Sequence, residues 1–144
     1  MINELKLDLA CGQNKTEGYF GIDIAPGDKV DAVVDLEQFP WPIESDSAED
    51  IVCSHYVEHT TDLIKFMDEV YRILKPGGKI KIIAPYYTSI RCWQDPTHKR
   101  AISDATFLYC GFGVGHMHPL IVVDGVGIVK VGNKNKIICQ CQYC

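Results

Sequence analysis

The feature that most restricts the fold is a pair of short apolar segments near the N-terminus that end differently. Leu7–Gly12 is an apolar run that ends in glycine, and Tyr19–Asp23 is a second run that ends in an acid. In nucleotide-binding α/β folds, the glycine lets a ligand approach the backbone after the first strand, and the acid after the second strand accepts from a ribose. The pattern therefore predicts two strands whose ends meet at a site for a nucleoside-type ligand.

The connection between these two segments is unusually short. Gly12 and Asp23 are 11 positions apart, whereas dinucleotide folds separate the two positions by about 20 residues and place a helix between them. A connection of this length also suits an antiparallel hairpin, and a parallel return requires a nearly extended linker of about 23 Å. We expect the parallel return, because only this arrangement places Asp23 beside Gly12. The missing helix removes the dipole that holds a pyrophosphate, which disfavours a dinucleotide.

Short runs of β-branched and apolar residues predict the strands of an α/β sheet at about 5–10, 19–24, 31–35, 49–54 and 78–84. Three further runs, at 120–123, 127–131 and 136–139, are separated by the turn signals Asp124-Gly125 and Gly132-Asn133. They are expected to include an antiparallel hairpin that closes the sheet. The predicted fold is thus a Rossmann-like, doubly wound, mostly parallel sheet with a shortened first crossover and a C-terminal hairpin.

Apolar residues at three- and four-residue intervals predict an amphipathic helix over 61–75. Thr60 or Thr61 is expected to cap its start, and Pro76-Gly77-Gly78 is expected to end it. The strands on either side of this helix should then run parallel through a βαβ crossover. A second helix is expected at 103–110.

Further segments follow in a fixed order along the chain. They are Val33-Val34-Asp35-Leu36, Phe39-Pro40-Trp41-Pro42, Ser54-His55-Tyr56-Val57-Glu58-His59 and a Glu69–Lys79 segment that ends in Pro-Gly-Gly-Lys. With the two N-terminal runs, this series resembles the class I S-adenosylmethionine-dependent methyltransferases, in particular a small branch with Ser-His-x-x-Glu-His after the fourth strand. The resemblance covers residues 5–113 and fades over 114–144, and the whole chain, 1–144, is predicted to be a single methyltransferase-like domain.

The resemblance implies S-adenosylmethionine as the cofactor and assigns roles to the residues that match the family. Asp8 and the backbone at Ala10 and Gly12 would face its amino acid end, with Ser54 and His55 near its methionine part. Asp23 would accept from both ribose hydroxyls. The adenine contacts would come from Ile24, Asp35 and Leu36.

Some of these residues also have ordinary structural explanations. Ala10 stands where the family usually has glycine, and Asp8 and Asp35 would suit turns, because aspartate is frequent there for its own hydrogen bonds. Histidine is the most frequent base in proton transfer. His98, in the Asp95–Arg100 segment that matches the substrate-side loop of the resembled branch, is the first candidate for a catalytic base, and His55 is the second.

Composition excludes several classes of protein. A formal net charge of -5 argues against an extended nucleic-acid surface, which requires clustered cations. After the fourth strand, the chain also lacks the Asn/Asp-Pro-Pro-Tyr/Phe sequence of base-amino methyltransferases. No apolar run is long enough for a membrane helix, and no secretory signal is visible, so a cytoplasmic location is expected.

Two groups of residues were considered as metal ligands. His55 and His59 would share a face if the helix began early, and Cys139, Cys141 and Cys144 could join His116 or His118. A single histidine pair is a thin basis for zinc, the C-x-C-x-x-C spacing is not the usual paired C-x-x-C, and an odd total of seven cysteines favours reduced thiols. The sequence-based assignment therefore contains no metal.

The predicted function is methyl transfer from S-adenosylmethionine to an acceptor that the sequence does not identify. Because the first strand begins near residue 1, the N-terminal helices that often cover the acceptor are not expected. The acceptor site should then be open to a large substrate, or completed by a partner subunit or a second copy of the chain. The alternative is a non-catalytic module that binds S-adenosylmethionine or S-adenosylhomocysteine, or serves as a scaffold. A nicotinamide enzyme is a third hypothesis, weakened by the missing phosphate-binding helix.

Overall fold

A computed structural model describes residues 1–103, 105–109, 121–122, 129–130 and 136–140 of the chain. Its strands are β1 (Lys6–Leu9), β2 (Phe20–Asp23), β3 (Ala32–Val33), β4 (Ala48–Ser54), β5 (Leu74–Ile83), β6 (Ile121–Val122), β7 (Val129–Lys130) and β8 (Lys136–Gln140). Its helices are α1 (Leu63–Ile73), α2 (Ile90–Gln94) and a 3₁₀ turn (Thr106–Tyr109). The strands form one 8-stranded sheet in the order β3-β2-β1-β4-β5-β8-β6, and β7 pairs with β8.

The two N-terminal strands run parallel, as the sequence predicted. Leu9 pairs with Ile22 in register, and β4 lies on the other side of β1. Residues 10–19, all of which the structure describes, form turns and no helix. Two carboxylates fix this linker: Asp8 Oδ2 accepts from the Thr16 N–H at 2.6 Å, and Asp31 Oδ2 accepts from Lys15 Nζ, also at 2.6 Å.

Helix α1 and strand β5 form the predicted parallel crossover from β4. The N-cap is Asp62, whose Oδ1 accepts from the Lys65 N–H at 3.0 Å, so the prediction of Thr60 or Thr61 as the cap was wrong. Asp62 is the residue just before the first helical turn. Its backbone is extended, and from there its carboxylate reaches a free N–H group of that turn. The helix ends at Ile73, and Pro76-Gly77-Gly78 lies inside β5 instead of ending the helix.

The apolar face of the sheet packs against α1. Its buried residues include Leu7, Leu9, Ile22, Ile51, Ile80 and Ile82, and they meet Leu63, Phe66, Met67, Val70 and Ile73 of the helix. Trp41, 1% exposed, brings the 34–47 segment onto this core and stacks edge-on against Phe66 with 5.3 Å between ring centroids. Ile64, which the helical pattern also contains, is 54% exposed and lies outside the stripe.

The structure corrects the prediction for the region after β5. The helix expected at 103–110 is reduced to the 3₁₀ turn Thr106–Tyr109 among the described residues, while the unpredicted helix α2 begins after Ser89. Ser89 caps α2 by accepting from the Arg91 N–H at 3.3 Å. This helix is only 5 residues long, too short for its periodicity to be read from the sequence.

The C-terminal strands agree with the predicted hairpin. β7 is antiparallel to β8, and β8 pairs in parallel with β5. The expected turns Asp124-Gly125 and Gly132-Asn133 lie outside the described residues, as do Cys141, Cys144, His116 and His118. Within the described part of the chain, no helix has the length and apolar character needed to cross a membrane.

Candidate functional site

The carboxyl ends of β1 and β4 are followed by residues in the left-handed backbone region. Ala10 has φ 56° and Gly12 has φ 52° after β1, and His55 has φ 56° after β4. A left-handed residue other than glycine costs roughly 1–2 kcal/mol, and such outliers concentrate at functional sites. Ala10, which stands where the resembled family has glycine, therefore adopts a backbone conformation that favours glycine.

Asp23 closes β2 directly beside the turn after β1. Its Oδ2 accepts from the Gly12 N–H at 2.9 Å, and its Oδ1 accepts from the Ala25 N–H at 3.1 Å. This is the contact that the parallel return requires. An ionised carboxylate has about four acceptor positions, so these two N–H donors leave acceptor capacity for hydroxyl groups of a ligand.

Two cavities meet at this turn. The first, of about 420 Å³, is lined by Asp8, Ala10, Gly12, Ser54 and His55 among others. The second, of about 360 Å³, is lined by Ala10, Asp23, Ile24, Asp35, Leu36 and His55 among others. Both are in the size range of small-molecule sites. The structure thus brings all nine residues predicted to bind the cofactor to the walls of two cavities that share Ala10 and His55.

The structural explanations offered for Asp8 and Asp35 apply as well. Asp8, 3% exposed, holds the linker through the Thr16 N–H, and Asp35 Oδ1 accepts from the Glu37 N–H at 2.9 Å. The second contact is the local turn that aspartate favours. Both acids therefore stabilise the backbone and line a cavity at the same time.

A third cavity, of about 280 Å³, adjoins the first two. It is lined by His55, Pro85, Arg91, Gln94, Asp95 and His98. His55 therefore stands where all three cavities meet, with its side chain 46% exposed. Its Nδ1 lies 3.3 Å from Oε1 of Glu58, and this carboxylate raises the pKa of His55 above its ordinary value, against the opposing effect of burial.

His98 occupies a more enclosed position than His55. Its side chain is 10% exposed, and its Nδ1 lies 2.9 Å from the Cys92 carbonyl oxygen. The neighbouring Arg100 donates to the carbonyls of Val57 and Thr60 at 2.8 and 2.6 Å. The Asp95–Arg100 segment is thereby tied to the loop that follows β4.

Sequence reasoning missed Glu37, which lines the second cavity. Its carboxylate accepts from the Tyr56 hydroxyl at 2.8 Å and from the Thr61 N–H at 3.0 Å. Burial alone would raise the pKa of Glu37, but the donors of Thr60, Tyr56 and Thr61 outweigh burial and lower the pKa to about 2. No local pattern marks this residue, because its partners are about 20 positions away in the chain.

Comparison with known proteins agrees with this geometry. Residues 7–82, just over half of the chain, match the family described as a methyltransferase domain. A solved structure of a complex between the Haloferax volcanii Trm112 methyltransferase activator and a candidate methyltransferase is similar in fold, with a TM-score of 0.56 and 19% identity. The similarity covers 75% of this chain and 59% of the other, less than two thirds of its length. No curated protein matches the chain. The family match over most of the described sheet, together with the Rossmann-like strand order, shows that this chain belongs to the class I methyltransferase family.

Proposed function

We propose that this protein transfers a methyl group from S-adenosylmethionine to an acceptor that enters from the side of α2. The observation that carries the proposal is the Asp23 carboxylate, 2.9 Å from the Gly12 N–H, at the place where two cavities join. Two hypotheses compete with this proposal, a non-catalytic module and a nicotinamide enzyme; a transfer assay tests the first, and titration with NADH tests the second.

The residues at the site fit S-adenosylmethionine better than a dinucleotide. The turn after β1 leads into no helix, so the site lacks the N-terminal dipole that favours phosphate groups, and S-adenosylmethionine carries none. Ile24, 65% exposed, offers an apolar surface beside Asp23 on which a purine can pack. The cavity of about 360 Å³ combines the carboxylates of Asp23 and Asp35 with the apolar side chains of Ile24, Val34 and Leu36, which suits an adenosine group.

Each side chain then has one task in binding. Asp23 accepts from the ribose hydroxyls and Ile24 packs on the adenine. Asp35 accepts from the adenine amino group, and Leu36 donates its backbone N–H to the ring. The backbone around Ala10 and Gly12, with Asp8 behind it, holds the amino acid end in the first cavity. Ser54 closes the same cavity from the end of β4.

His55 is the residue that we assign to the acceptor's proton. S-adenosylmethionine, when bound, supplies an electrophilic methyl group, and the protein has to orient the acceptor and remove its proton. His55 lines both cofactor cavities and the cavity with Pro85, Arg91 and Gln94. His98 was the first candidate from the sequence, but it lines only the acceptor side and its Nδ1 is occupied by the Cys92 carbonyl.

The surface beside the acceptor cavity supports a large substrate or a partner subunit. Helix α2, which contributes Arg91 and Gln94 to the cavity, exposes Ile90 by 70% and Trp93 by 68%. Exposed apolar residues close together mark sites of interaction more often than isolated ones do. The similar solved structure is a complex with a methyltransferase activator, and we propose that this chain also works with a partner, with its own α2 at the interface.

Calorimetric titration with S-adenosylmethionine, S-adenosylhomocysteine and NADH tests the cofactor assignment. We expect micromolar affinity for the first two ligands and none for NADH. Asp23→Asn should weaken both affinities by at least 10-fold, because it removes charge-assisted hydrogen bonds, whereas Asp28→Asn, an exposed acid away from the cavities, should leave them unchanged. Equal binding by Asp23→Asn and the wild type would overturn the assignment.

Catalysis is tested separately from binding. The protein is incubated with radiolabelled S-adenosylmethionine and a cell extract, and transfer of the label is compared between the wild type and His55→Gln. A loss of transfer by about 10²-fold or more is expected, measured at saturating S-adenosylmethionine because His55 also lines both cofactor cavities. Cofactor binding without any transfer, with or without the extract, would favour the non-catalytic module instead.

A further inference from the structure

One buried carboxylate in the loop after β4 has no hydrogen-bond partner. Glu58 is 1% exposed, and neither Oε1 nor Oε2 accepts a hydrogen bond from any described residue. Its ion-pair partner is His55, whose Nδ1 lies 3.3 Å from Oε1 and whose pKa this carboxylate raises. Buried charges in proteins are normally paired or bound to a metal. The half-exposed His55 balances Glu58 from one side only, and Oε2 remains without a partner among the described residues and available to a cation.

Two histidines complete a cluster around this carboxylate. One ligand atom each from Glu58, His59 and His98 lies within 4.8 Å of the other two. The two imidazole rings meet edge to face, with 4.7 Å between their centroids. Ligand atoms that bind one zinc ion at 2.0–2.2 Å are about 3.3 Å apart in a tetrahedral site. A shortening of these distances by up to about 1.5 Å would bring the three atoms to a common metal ion.

The Nδ1 atom of each imidazole ring has a hydrogen-bond partner, which leaves Nε2 as the nitrogen available to a metal ion. The Nδ1 of His98 lies 2.9 Å from the Cys92 carbonyl, which can only accept, so this nitrogen carries the proton. The single hydroxyl proton of Thr97 is donated to Asp95 Oδ1 at 2.6 Å. Thr97 Oγ1 must then accept from the Nδ1 of His59, 3.1 Å away. In the neutral form of each ring, Nε2 then carries the lone pair, in the arrangement by which contacts at Nδ1 orient metal-binding histidines.

The backbone of the cluster is fixed from both sides. The Lys99 N–H donates to the Glu58 carbonyl at 2.7 Å, and the Arg100 guanidinium holds the carbonyls of Val57 and Thr60. These contacts join the segment that carries His98 to the loop that carries Glu58 and His59. A site held in place before the ligand arrives loses less entropy on binding.

From these observations we propose that Glu58, His59 and His98 bind a divalent transition-metal ion, with zinc as the probe. Two imidazoles and one carboxylate form a ligand set that suits zinc and leaves further coordination positions open. Asp95 Oδ2, 3.6 Å from His98 Nε2, stands close enough to supply a fourth ligand. Because His98 and Asp95 also line the acceptor cavity, the bound ion faces that cavity. The proposal assigns His98 to the metal instead of to proton transfer.

Zinc titration of the chelator-treated full chain tests the proposal in a background without the C-terminal thiols. The background variant carries Cys139→Ser, Cys141→Ser and Cys144→Ser, so that zinc bound by these cysteines does not count. Competition with a chromophoric chelator should give one zinc per chain at micromolar affinity or tighter. His59→Gln, His98→Gln and Glu58→Gln should each weaken the affinity by at least 30-fold, whereas Lys65→Gln on the exposed face of α1 should not change it.

Thermal unfolding without and with zinc distinguishes loss of the site from loss of the fold. Zinc should raise the melting temperature of the background variant, because it binds the folded state, and should not raise that of His59→Gln or His98→Gln. Without zinc, Glu58→Gln should melt at about the same temperature as its parent, since the buried charge that it removes is paired only with the half-exposed His55. Cobalt substitution should give visible absorption of a nitrogen and oxygen site without a thiolate charge-transfer band.

Three results would overturn the proposal. The first is zinc affinity weaker than about 100 μM in the triple-serine background, and the second is unchanged affinity in His59→Gln and His98→Gln. The third is a Glu58→Gln variant that melts at a lower temperature without zinc and binds zinc normally, which would make Glu58 a counter-ion of His55 only. The titration uses no methyl donor, so its failure and the failure of the proposed function are separate outcomes.

Discussion

Two regions of the molecule differ in the hydrogen bonding of their acids. The first region comprises Asp8, Asp23 and Asp35, which line the first two cavities, and the second comprises Glu58, His59 and His98. Asp8, Asp23 and Asp35 each accept at least one hydrogen bond from a backbone N–H, while Glu58 accepts none from the described residues. The first group is stable without a ligand and can exchange some acceptor capacity for hydroxyl groups. The second carries a buried charge that is paired only with the half-exposed His55 and can accept a further cation. A site for ligand hydroxyl groups and a site for a metal ion therefore differ in how many hydrogen bonds their acids already accept.

The largest expected effect on stability comes from Arg72, which supports the segment beside the second cavity. Arg72 joins Glu69 at 2.7 Å and also donates to the carbonyls of Ile43 and Trp41, so it holds the 34–47 segment that leads from β3 past the second cavity. Arg72→Ala should lower the free energy of unfolding by about 2–3 kcal/mol, because it leaves a partly buried carboxylate and two carbonyls without their donor. Urea denaturation measures the loss.

Lys65→Ala is the matched control for this variant. Its ion pair with Asp62 spans 3.9 Å on the surface, and such pairs contribute less than about 1 kcal/mol. Arg72→Ala should also weaken S-adenosylmethionine binding and leave zinc binding unchanged. A stability loss no greater than that of Lys65→Ala would show that the first region does not depend on this support.

A smaller effect is expected from acid, through Glu37. Its pKa of about 2 in the folded chain lies below its ordinary value of 4.5, so its contribution is fully present above pH 4.5 and is lost as pH falls through 2. The full difference corresponds to about 3 kcal/mol, which solvent screening at this half-buried position reduces to about 1–2 kcal/mol. Denaturation of Glu37→Gln at pH 7 should show a loss of this size, and the gap to the wild type should narrow between pH 4.5 and 2.

This prediction sharpens the contrast between two glutamates in neighbouring loops. Glu37, with three donors around it, should lose stability on conversion to glutamine. Glu58, with none, should not lose stability in the metal-free protein. If both variants lost stability equally at pH 7, the distinction between a satisfied and an unsatisfied carboxylate would not hold.

The smallest effect concerns the left-handed alanine of the first region. Ala10→Gly removes a conformational cost of roughly 1–2 kcal/mol and adds backbone entropy to the unfolded chain, worth about 0.5–1 kcal/mol. The net expectation is a gain of about 0.5 kcal/mol, measured by thermal and urea unfolding. Ala101→Gly, at a position without positive φ, should instead destabilise the protein by about 0.5–1 kcal/mol. If Ala10→Gly lowered the free energy of unfolding as much as Ala101→Gly, the left-handed backbone at Ala10 would not be strained.

The first region was predictable from the sequence because its determinants are local. Asp23 and Asp35 each close or follow a short apolar run and Asp8 lies within one, and the direction of parallel strands brings the ends of those runs to one edge of the sheet. Asp23 and Gly12 therefore follow from strand assignment alone. The short connection left the strand direction open, and the structure decided it in favour of the parallel pair.

The second region was not predictable in this way. His55 and His59 would share a helical face only if the helix began early, and the sequence-based assignment contained no metal. Because α1 begins only at Leu63, helical spacing does not apply to them. The residue that joins His59 is His98, 39 positions later. Its orientation depends on the Cys92 carbonyl of a helix that the pattern did not reveal. Contacts between distant segments with irregular backbone carry no periodic signal.

The helix-free connection between β1 and β2 also affects the order in which the chain folds. Their pairing closes a short stretch of chain, from Leu7 to Ile22, and short closures lose little entropy. The docking of the His98 segment has to close a much longer stretch and should follow later. Pulse-labelled hydrogen exchange would then find the Cys11 amide, which donates to the Ile22 carbonyl, protected before the Lys99 amide. The proposed cofactor site at Gly12 and Asp23 would then form before His98 reaches Glu58 and His59.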